Sequence, residues 1–228
     1  MNKKILITGA NGFVGSNLIK KLEKNSFDCT LIFPPDFKYD KSRFVCKNID
    51  ISKPFSLNED FDFVIHLAAL NITHVGKADF QDYVNINSIG TFNVLNSVKC
   101  KYFILMSTIG VYGNTYSCLK ENLQPKPLTN YTLSKYFSEI IASTFSNSII
   151  LRAANLYGPA QPVKALVPVF IQNALANADF DVFGPPNQIL QLLYIDDLTD
   201  LLIKIISQKE PRTGIFNVAS NKKTTLLK

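Results

Sequence analysis

The chain has 228 residues, a length that suits one domain with at most a small appendage. Hydrophobic residues make up 46% of it and charged residues 18%, proportions that exclude an intrinsically disordered chain. No apolar run approaches the roughly 18 residues of a membrane span. The net charge of +6 comes from scattered lysines rather than from a nucleic-acid-binding motif. We therefore expect a cytoplasmic protein with neither a membrane nor a nucleic acid as partner.

The N-terminus and the cysteines agree with this expectation. The apolar stretch Ile5–Ile7 is too short for the core of a secretory signal peptide. The cysteines show no metal-binding or redox spacing, so free thiols and no metal site are expected at Cys29, Cys46, Cys100 and Cys118.

Strand and helix patterns alternate along the first two thirds of the chain. Short β-rich apolar runs predict buried strands, and apolar residues spaced three and four apart predict helices. In chain order these are a strand at Lys3–Thr8, a helix at Phe13–Lys24, strands at Cys29–Phe33, Phe44–Cys46 and Phe61–Leu67, a helix at Phe80–Val98, a strand at Tyr102–Met106, a helix at Tyr131–Phe145 and a strand at Ser148–Leu151. Such units predict an α/β fold with a doubly wound parallel sheet, the Rossmann fold.

The sequence changes character after about residue 156, where prolines become frequent. Further elements are still predicted there: helices at Val163–Ala176 and Asp196–Ser207, a strand at Gly214–Val218 and the first turn of a helix at Thr224–Lys228. No stop signal follows that turn, so the end of the chain is abrupt.

Three glycines separate the first predicted strand from the first predicted helix. Glycine permits a positive φ in a tight turn and lets a ligand approach the backbone closely. The N-terminus of the following helix offers free N–H groups and a partial positive charge. A plain strand–helix turn is the alternative, but this context favours a site for a dinucleotide pyrophosphate, at Gly9, Asn11, Gly12, Phe13, Val14 and Gly15.

The end of the second predicted strand leaves the dinucleotide undecided. An acidic residue there binds the ribose hydroxyls of NAD, whereas a nearby arginine accommodates the 2′-phosphate of NADP. Phe33 is followed here by Pro34 and Pro35, and Asp36 comes late. The expected cofactor is therefore NAD or NADP.

Tyr131 and Lys135 share one face of a predicted helix, about 6 Å apart. A nearby ammonium favours the phenolate of a tyrosine, so Lys135 is expected to lower the pKa of Tyr131, which then moves a proton to or from an alcohol oxygen. The same spacing also arises by chance in surface pairs. Ser107 and Thr108 favour the catalytic interpretation, because they follow another predicted strand at the edge where such sheets bind ligands.

Further motifs occur in a fixed order along almost the whole chain: Thr8–Gly15, Asp50-Ile51, His66–Ala69, Asn87–Thr91, Ser107–Gly113, Tyr131–Lys135, Leu151–Pro159, Tyr194–Leu198 and Phe216–Val218. In these motifs the chain resembles an extended short-chain dehydrogenase/reductase of the NAD-dependent epimerase/dehydratase family. Together the motifs are specific for the family but not for a substrate.

The resemblance implies a role for many residues. Thr108, Tyr131 and Lys135 would be catalytic, with Tyr131 as the acid/base and Lys135 on the nicotinamide ribose. The substrate would contact Ser107, Thr108 and Asn155. Beyond the glycine turn, the cofactor would contact Asp50, Ile51, Leu67, Ala68, Ala69, Asn87, Tyr131, Lys135 and Ala154. Simpler interpretations exist for His66 as a packed residue at a strand end, for Asn87 as a bridge between backbone groups, and for Asp196 and Asp197 as helix caps.

Three departures from the family pattern bear on the substrate. Ile109 and Gly110 stand where the 4,6-dehydratases of the family carry Asp-Glu, which disfavours dehydration. Leu190 stands where relatives that act on nucleotide sugars often place an arginine on the substrate pyrophosphate. The chain is also shorter than most members. It therefore divides into an NAD(P)-binding domain at residues 1–156 and a small partial substrate lobe at residues 157–228, naturally short or truncated and interleaved with the last Rossmann elements.

The leading hypothesis is an NAD(P)-dependent oxidoreductase or isomerase that transfers a hydride at a carbon of a nucleotide-activated sugar, as a 4-epimerase or a keto reductase. A reductase of a smaller carbonyl compound without a nucleotide is one alternative. A non-catalytic NAD(P)-binding sensor is another, which retention of Thr108, Tyr131 and Lys135 disfavours. The resemblance also implies a homodimer formed through the helices at residues 80–98 and 131–145.

Overall fold

The computed structural model describes residues 2–39, 42–71, 78–114, 118–162, 164–179, 189–222 and 224–225. Its strands are β1 (Lys4–Thr8), β2 (Asp28–Phe33), β3 (Val45–Asn48), β4 (Asp60–His66), β5 (Lys99–Thr108), β6 (Ser148–Ala153), β7 (Asn155–Tyr157), β8 (Ile189–Leu190), β9 (Leu192–Tyr194), β10 (Gly214–Val218) and β11 (Thr224–Thr225). Its helices are α1 (Phe13–Leu22), α2 (Phe80–Tyr83), α3 (Gly90–Ser97), α4 (Asn130–Ala142), α5 (Leu166–Leu175) and α6 (Ile195–Ser207). A π-helical turn (Val84–Ile89) joins α2 to α3, and a 3-10 turn (Ile109–Tyr112) follows β5.

Seven strands form one parallel sheet in the order β10-β6-β5-β4-β1-β2-β3. The strand order reverses at β1, which lies between β2 and β4. Such a reversal opens a crevice beyond the carboxyl ends of the two central strands, the place where doubly wound sheets bind ligands. The predicted α/β Rossmann fold is confirmed.

Side chains alternate between the two faces of the sheet and create two cores. On one face, Ile5 and Ile7 of β1 pack in a cluster with Leu18 of α1 and Leu202 of α6. On the other face, Leu6 packs in a cluster with residues of α3 and α4. Because both faces are covered, the strands are nearly continuous apolar runs rather than alternating ones.

The region after β6 is built from smaller units. β7 pairs with β9 and β8 pairs with β11, each in a sheet of its own, while α6 returns to α1 and β10 completes the large sheet. The start of the Val163–Ala176 prediction, Val163, lies outside the described residues, and α5 begins at Leu166.

The prediction of a helix start at Thr224–Lys228 is wrong where it can be compared. Thr224 and Thr225 form β11, antiparallel to Leu190 and Ile189. Two β-branched residues suit a strand, and the partner that stabilises it is remote in sequence. The last three residues lie outside the described part of the chain.

Candidate active site

A cavity of about 500 Å³ opens at the carboxyl edge of the large sheet. Its wall combines the turn after β1, the segment after β4, the ends of β5 and β6, one face of α4 and the start of α5. Most of the predicted site residues line it: Gly9, Gly12, Phe13, Val14, Gly15, Leu67, Ala69, Ser107, Thr108, Tyr131, Lys135, Ala154 and Asn155.

The glycine turn brings the N-terminus of α1 to this cavity. Gly9 has a φ of +69°, and a Cβ there would lie 2.5 Å from the backbone nitrogen of Ala68. A Cβ on Gly15 would collide with the carbonyl oxygen of Gly9. The first turn of α1 contains no acidic residue, so its free N–H groups face the cavity without a competing carboxylate. These features fit a dinucleotide pyrophosphate.

Five predicted cofactor residues lie outside the cavity lining. Asn11 is exposed in the turn. The Asp50 carboxylate accepts hydrogen bonds from the backbone and hydroxyl of Ser52, which lower the pKa of Asp50. Ile51 is buried in the core beside Gly90. The Ala68 N–H donates a hydrogen bond to the Thr8 hydroxyl. Asn87 is fully buried.

Asn87 joins two parts of the site without reaching the cavity. Its amide oxygen accepts from the N–H of Leu70 at 2.7 Å, and its amide nitrogen donates to the Leu70 carbonyl at 3.2 Å and to the Ser134 hydroxyl at 2.8 Å. The segment after β4 is thereby held against α4. The two bonds to Leu70 fit the interpretation of Asn87 as a backbone bridge, and the bond to the Ser134 hydroxyl adds a side-chain contact with α4.

The adjacent hydroxyls of Ser107 and Thr108 have different hydrogen-bond partners. The Ser107 hydroxyl donates to Glu139 Oε1 at 2.5 Å, so its proton is not available to a ligand. The Thr108 hydroxyl accepts from the Gly110 N–H at 3.1 Å, which leaves its own proton free to donate. Thr108 is therefore the hydroxyl equipped to donate a hydrogen bond into the cavity.

Behind Ser107 lies a buried ion pair that sequence reasoning missed. Arg152 Nη2 donates to Glu139 Oε2 at 2.7 Å, and both side chains are almost completely buried. The Arg152 guanidinium also lies 4.7 Å from the centre of the Tyr112 ring, whose hydroxyl donates to Asn217. The pair ties α4 to β6 and to the turn after Thr108. In the sequence Glu139 is simply the residue one helical turn beyond Lys135, and that spacing was the available signal.

The pKa of Tyr131 moves opposite to the expectation from the sequence. Burial of the phenol raises the pKa of Tyr131 to about 12, and nearby Tyr83 adds to the effect. The expected lowering by Lys135 does not outweigh burial, because water is excluded from both groups. The phenol is therefore protonated at neutral pH when no ligand is bound.

Lys135 is 2% exposed, yet its side chain reaches the cavity wall. Burial lowers the pKa of the Lys135 ammonium to about 8, and the Glu139 carboxylate opposes this shift. No acceptor among the described residues is hydrogen-bonded to the ammonium, so its donors are available to a ligand. A buried cation of this kind favours an anionic or oxygen-rich partner.

Other lining residues were not foreseen: Asn71, Met106, Ala153, Leu156, Gln161, Pro162, Lys164, Ala165, Leu166, Val167 and Leu192. Most come from the segment leading into α5, whose approach to the sheet no local pattern indicates. Within this lining, as far as the chain is described, Lys135 and Lys164 are the charged residues, so the cavity favours anions.

Other kinds of site were sought in the described residues. They contain no group of three or more His, Cys, Asp or Glu that could hold a metal ion. Cys29, Cys46, Cys100 and Cys118 are free thiols. Of the described helices, none has the length and apolar character needed to cross a membrane.

Relatives of known activity share both sequence and fold. A family model described as the NAD dependent epimerase/dehydratase family matches residues 5–219. GDP-6-deoxy-D-talose 4-dehydrogenase of Aggregatibacter actinomycetemcomitans is 30% identical over 220 residues, which cover 90% of this chain and 70% of that protein. dTDP-glucose 4,6-dehydratase of Neisseria gonorrhoeae is 26% identical over 243 residues, which cover 90% of this chain and 70% of that protein.

A solved structure extends the likeness to the backbone. UDP-glucuronic acid 4-epimerase from Bacillus cereus, crystallised with UDP-glucuronic acid and NAD, superposes with a TM-score of 0.83 and 29% identity, covering 98% of this chain and 80% of that one. The family match spans both the glycine turn and the Tyr131–Lys135 helix. The chain therefore belongs to the NAD-dependent epimerase/dehydratase family, whose members are enzymes of the short-chain dehydrogenase/reductase superfamily.

Proposed function

We propose that this enzyme transfers a hydride at a carbon of a nucleotide-activated sugar, with NAD as its cofactor. The observation that carries the proposal is the convergence of Thr108, Tyr131 and Lys135 in the lining of one cavity, which the glycine turn also lines. Relatives with nucleotide-sugar names and the cationic lining of the cavity support the same substrate class.

In the proposed mechanism, bound NAD supplies the hydride acceptor. Tyr131 takes or returns the proton of the reacting sugar hydroxyl, and the Thr108 hydroxyl donates a hydrogen bond to the same oxygen. The Lys135 ammonium would hold the nicotinamide ribose by a hydrogen bond and would provide positive charge beside the phenol. Because the pKa of Tyr131 is raised to about 12 even with Lys135 nearby, the phenolate would also need the positive charge of the oxidised nicotinamide before it can act as a base.

The remaining contacts follow the layout of the sheet. The N–H groups of Phe13, Val14 and Gly15 would hold the pyrophosphate, because the Gly12 N–H is already donated to the Gly9 carbonyl. Leu67, Ala69 and Ala154 would line the nicotinamide half, and Asp50 with Ile51 would meet the adenine beyond β3. Asn155 faces the substrate from β7. Residues 1–156 form the cofactor domain in this scheme, and residues 157–228 contribute the substrate lobe apart from α6 and β10.

Epimerisation and keto reduction at C-4 fit this chemistry better than dehydration. Elimination of water needs an additional acid and base beside the catalytic threonine. Ile109 and Gly110 occupy that place in the 3-10 turn after Thr108, and neither residue titrates. Ser107 cannot substitute as an acid, because its proton is donated to Glu139.

The Tyr131→Phe variant tests the mechanism most directly. We expect turnover to fall by about 10²- to 10⁴-fold, the usual contribution of a positioned acid or base, while NAD affinity changes little. The assay follows NAD reduction and sugar interconversion with a panel of UDP-, GDP- and dTDP-sugars. Tyr136→Phe is the matched control on the same helix. Unchanged turnover in Tyr131→Phe would eliminate the proposed mechanism.

A reductase of a smaller carbonyl compound is the second candidate. Leu190 of β8 favours this second candidate. It pairs with Thr224 of β11, and its side chain offers no cation for a substrate pyrophosphate. Calorimetry with UDP, GDP and dTDP separates the two candidates. Nucleotide binding supports the sugar substrate, and its absence with intact NAD binding supports the smaller one.

We also propose a cytoplasmic homodimer. Large apolar side chains are exposed on neighbouring helical segments, with Ile89 and Phe92 around the start of α3 and Phe137 and Ile140 on α4. Phe92 is 54% exposed and Ile140 is 50% exposed. These segments contact each other, and exposed apolar side chains on adjacent helices are typical of a subunit interface. The four free thiols support the reducing compartment.

Light scattering tests the dimer. We expect the wild-type enzyme to have the mass of two chains and Phe92→Glu with Ile140→Glu to have the mass of one. Leu175→Glu is the control, because Leu175 of α5 is 81% exposed and lies outside this surface. A monomeric wild-type enzyme would contradict the proposed interface.

A further inference from the structure

His66 is the last residue of β4 and lies directly behind the cavity wall. It is 1% exposed, its ring packs 5.8 Å from that of Phe103, and it is absent from the cavity lining. The proposed mechanism gives it no task. Both ring nitrogens are hydrogen-bonded, as buried polar atoms require, and the identity of the two partners determines the tautomer of the ring.

The bond at Nε2 has only one arrangement of protons. The Thr91 hydroxyl lies 2.6 Å from the Asn87 carbonyl oxygen, and a carbonyl cannot donate, so the threonine proton points at Asn87. The same hydroxyl lies 3.0 Å from His66 Nε2. Since its proton is already used, it must accept from Nε2, which therefore carries the imidazole proton.

The bond at Nδ1 then follows. The Thr8 hydroxyl accepts from the Ala68 N–H at 3.2 Å and lies 2.7 Å from His66 Nδ1. In a neutral ring protonated on Nε2, Nδ1 is an acceptor, so Thr8 donates to it. A proton on Nδ1 would leave the Thr8 hydroxyl hydrogen without an acceptor in this arrangement. The imidazole is thus held neutral and in one tautomer.

The surrounding charges favour the same state. Burial lowers the pKa of His66 to about 3, and the Lys135 ammonium contributes in the same direction. The polar contacts of the ring come from Thr8 on β1 and Thr91 on α3. The titratable group that acts on it electrostatically is Lys135 of α4.

The resulting chain of bonds joins two halves of the site. At one end is the Ala68 N–H, between cavity-lining Leu67 and Ala69. At the other end is the Asn87 carbonyl, which lies 2.8 Å from the Ser138 hydroxyl of α4 and shares this donor with the Ser134 carbonyl at 2.9 Å. The cofactor segment after β4 and the helix of Tyr131 and Lys135 therefore share one network of hydrogen bonds.

We propose that His66 is a positioning residue, a permanently neutral imidazole with its proton on Nε2 that fixes the NAD-binding edge of the sheet against the catalytic helix. The proposal rests on the function proposed above, because it assigns the network to the binding of NAD. It departs from the simpler interpretation of His66 as packing alone. It also explains why a titratable side chain stands beside Lys135 without adding a second positive charge.

Nitrogen NMR of the wild-type enzyme tests the tautomer without any substitution. The chain has two histidines, so ¹⁵N-histidine labelling gives two imidazoles, and the His66→Phe spectrum identifies the signals. We expect His66 to show a protonated Nε2 and an unprotonated Nδ1, with no titration between about pH 5 and pH 8. A proton on Nδ1, or a titration in that range, would overturn the proposal.

Thr91→Val tests the link to NAD binding, with Thr199→Val as its matched control. Both threonines are fully buried, and each donates to the carbonyl four residues earlier, but Thr199 lies in α6 away from His66. We expect Thr91→Val to shift the His66 Nε2 signal and weaken NAD binding by about 3- to 10-fold in calorimetry. Thr199→Val should change neither quantity.

Equal NAD affinities in the two valine variants would refute the positioning role. Failure of the wild-type enzyme to bind NAD would refute the proposed function instead, and the NMR result would still decide the tautomer. Melting temperatures of both variants separate a general loss of stability from a specific loss of NAD affinity. If Thr91→Val fails to fold, the wild-type spectrum remains the test.

Discussion

In β6 every residue from Ser148 to Ala153 is buried, whereas α5 has no buried residue between Leu166 and Leu175. Both segments line the same cavity. The part of the cavity that holds Tyr131 and Lys135 is fixed by two cores and a buried ion pair, whereas neither core includes a residue of α5. The part of the cavity formed by α4 and the large sheet is thus firmly packed, and the part formed by α5 is loosely packed.

The largest expected effect on the free energy of unfolding comes from removing the buried ion pair between Glu139 and Arg152. Glu139→Gln leaves the buried Arg152 guanidinium without its counter-charge, and we expect a loss of about 3 to 5 kcal/mol in the free energy of unfolding. Urea denaturation measures it. Asp200→Asn is the control, because its partner Lys21 and the Asp200 carboxylate are partly exposed, and we expect less than about 1 kcal/mol there. Similar losses of unfolding free energy in the two variants would contradict the expected difference between the buried and the exposed ion pair.

Truncation of a leucine on each side sharpens the comparison. Leu202 of α6 is completely buried, and Leu202→Ala should cost about 2 to 5 kcal/mol by opening a cavity in the core. Leu175 of α5 is 81% exposed, so Leu175→Ala should change stability by no more than about 0.5 kcal/mol. A large loss from Leu175→Ala would mean that α5 is as firmly packed as the sheet.

A smaller effect concerns the free energy of unfolding at acidic pH, which we expect to depend on His66. The unfolded histidine titrates near ~6.5, whereas the pKa of His66 in the folded protein is about 3. Between these values the unfolded chain binds the additional proton, so stability falls as pH decreases, by about 1.4 kcal/mol per unit. Urea denaturation between about pH 4.5 and 6.5 measures the slope. His66→Phe should lose this contribution, and an unchanged slope would count against it.

Much of this framework is foreseeable from local sequence. The spacing of Gly9, Gly12 and Gly15 predicts the turn, because its constraint is steric and acts between near neighbours. Tyr131 and Lys135 are brought together by a single helical turn. The strands are predicted from continuous apolar runs, which arise because both faces of the sheet are covered.

What depends on distant partners was not foreseeable. Thr108 and Ser107 are adjacent hydroxyls in the sequence, and Glu139, 32 positions away, determines which one keeps a free proton. Burial reversed the expected pKa change of Tyr131, and burial is a property of the assembled site. Thr224 and Thr225 form a strand because Ile189 and Leu190 lie beside them. The approach of Lys164 to the cavity likewise follows from tertiary packing.

The position of β10 has a consequence for synthesis on the ribosome. β6 pairs with β5 on one side and β10 on the other, yet residues 154–213 must be made before β10 exists. At ribosomal rates of about 5 to 20 residues per second, that interval lasts on the order of 3 to 12 s. Throughout it the newly made β6, in which four of the six residues are aliphatic, presents an unpaired edge. Chaperone demand should therefore peak late in translation, and slowing elongation within residues 154–213 should lower the yield of folded enzyme.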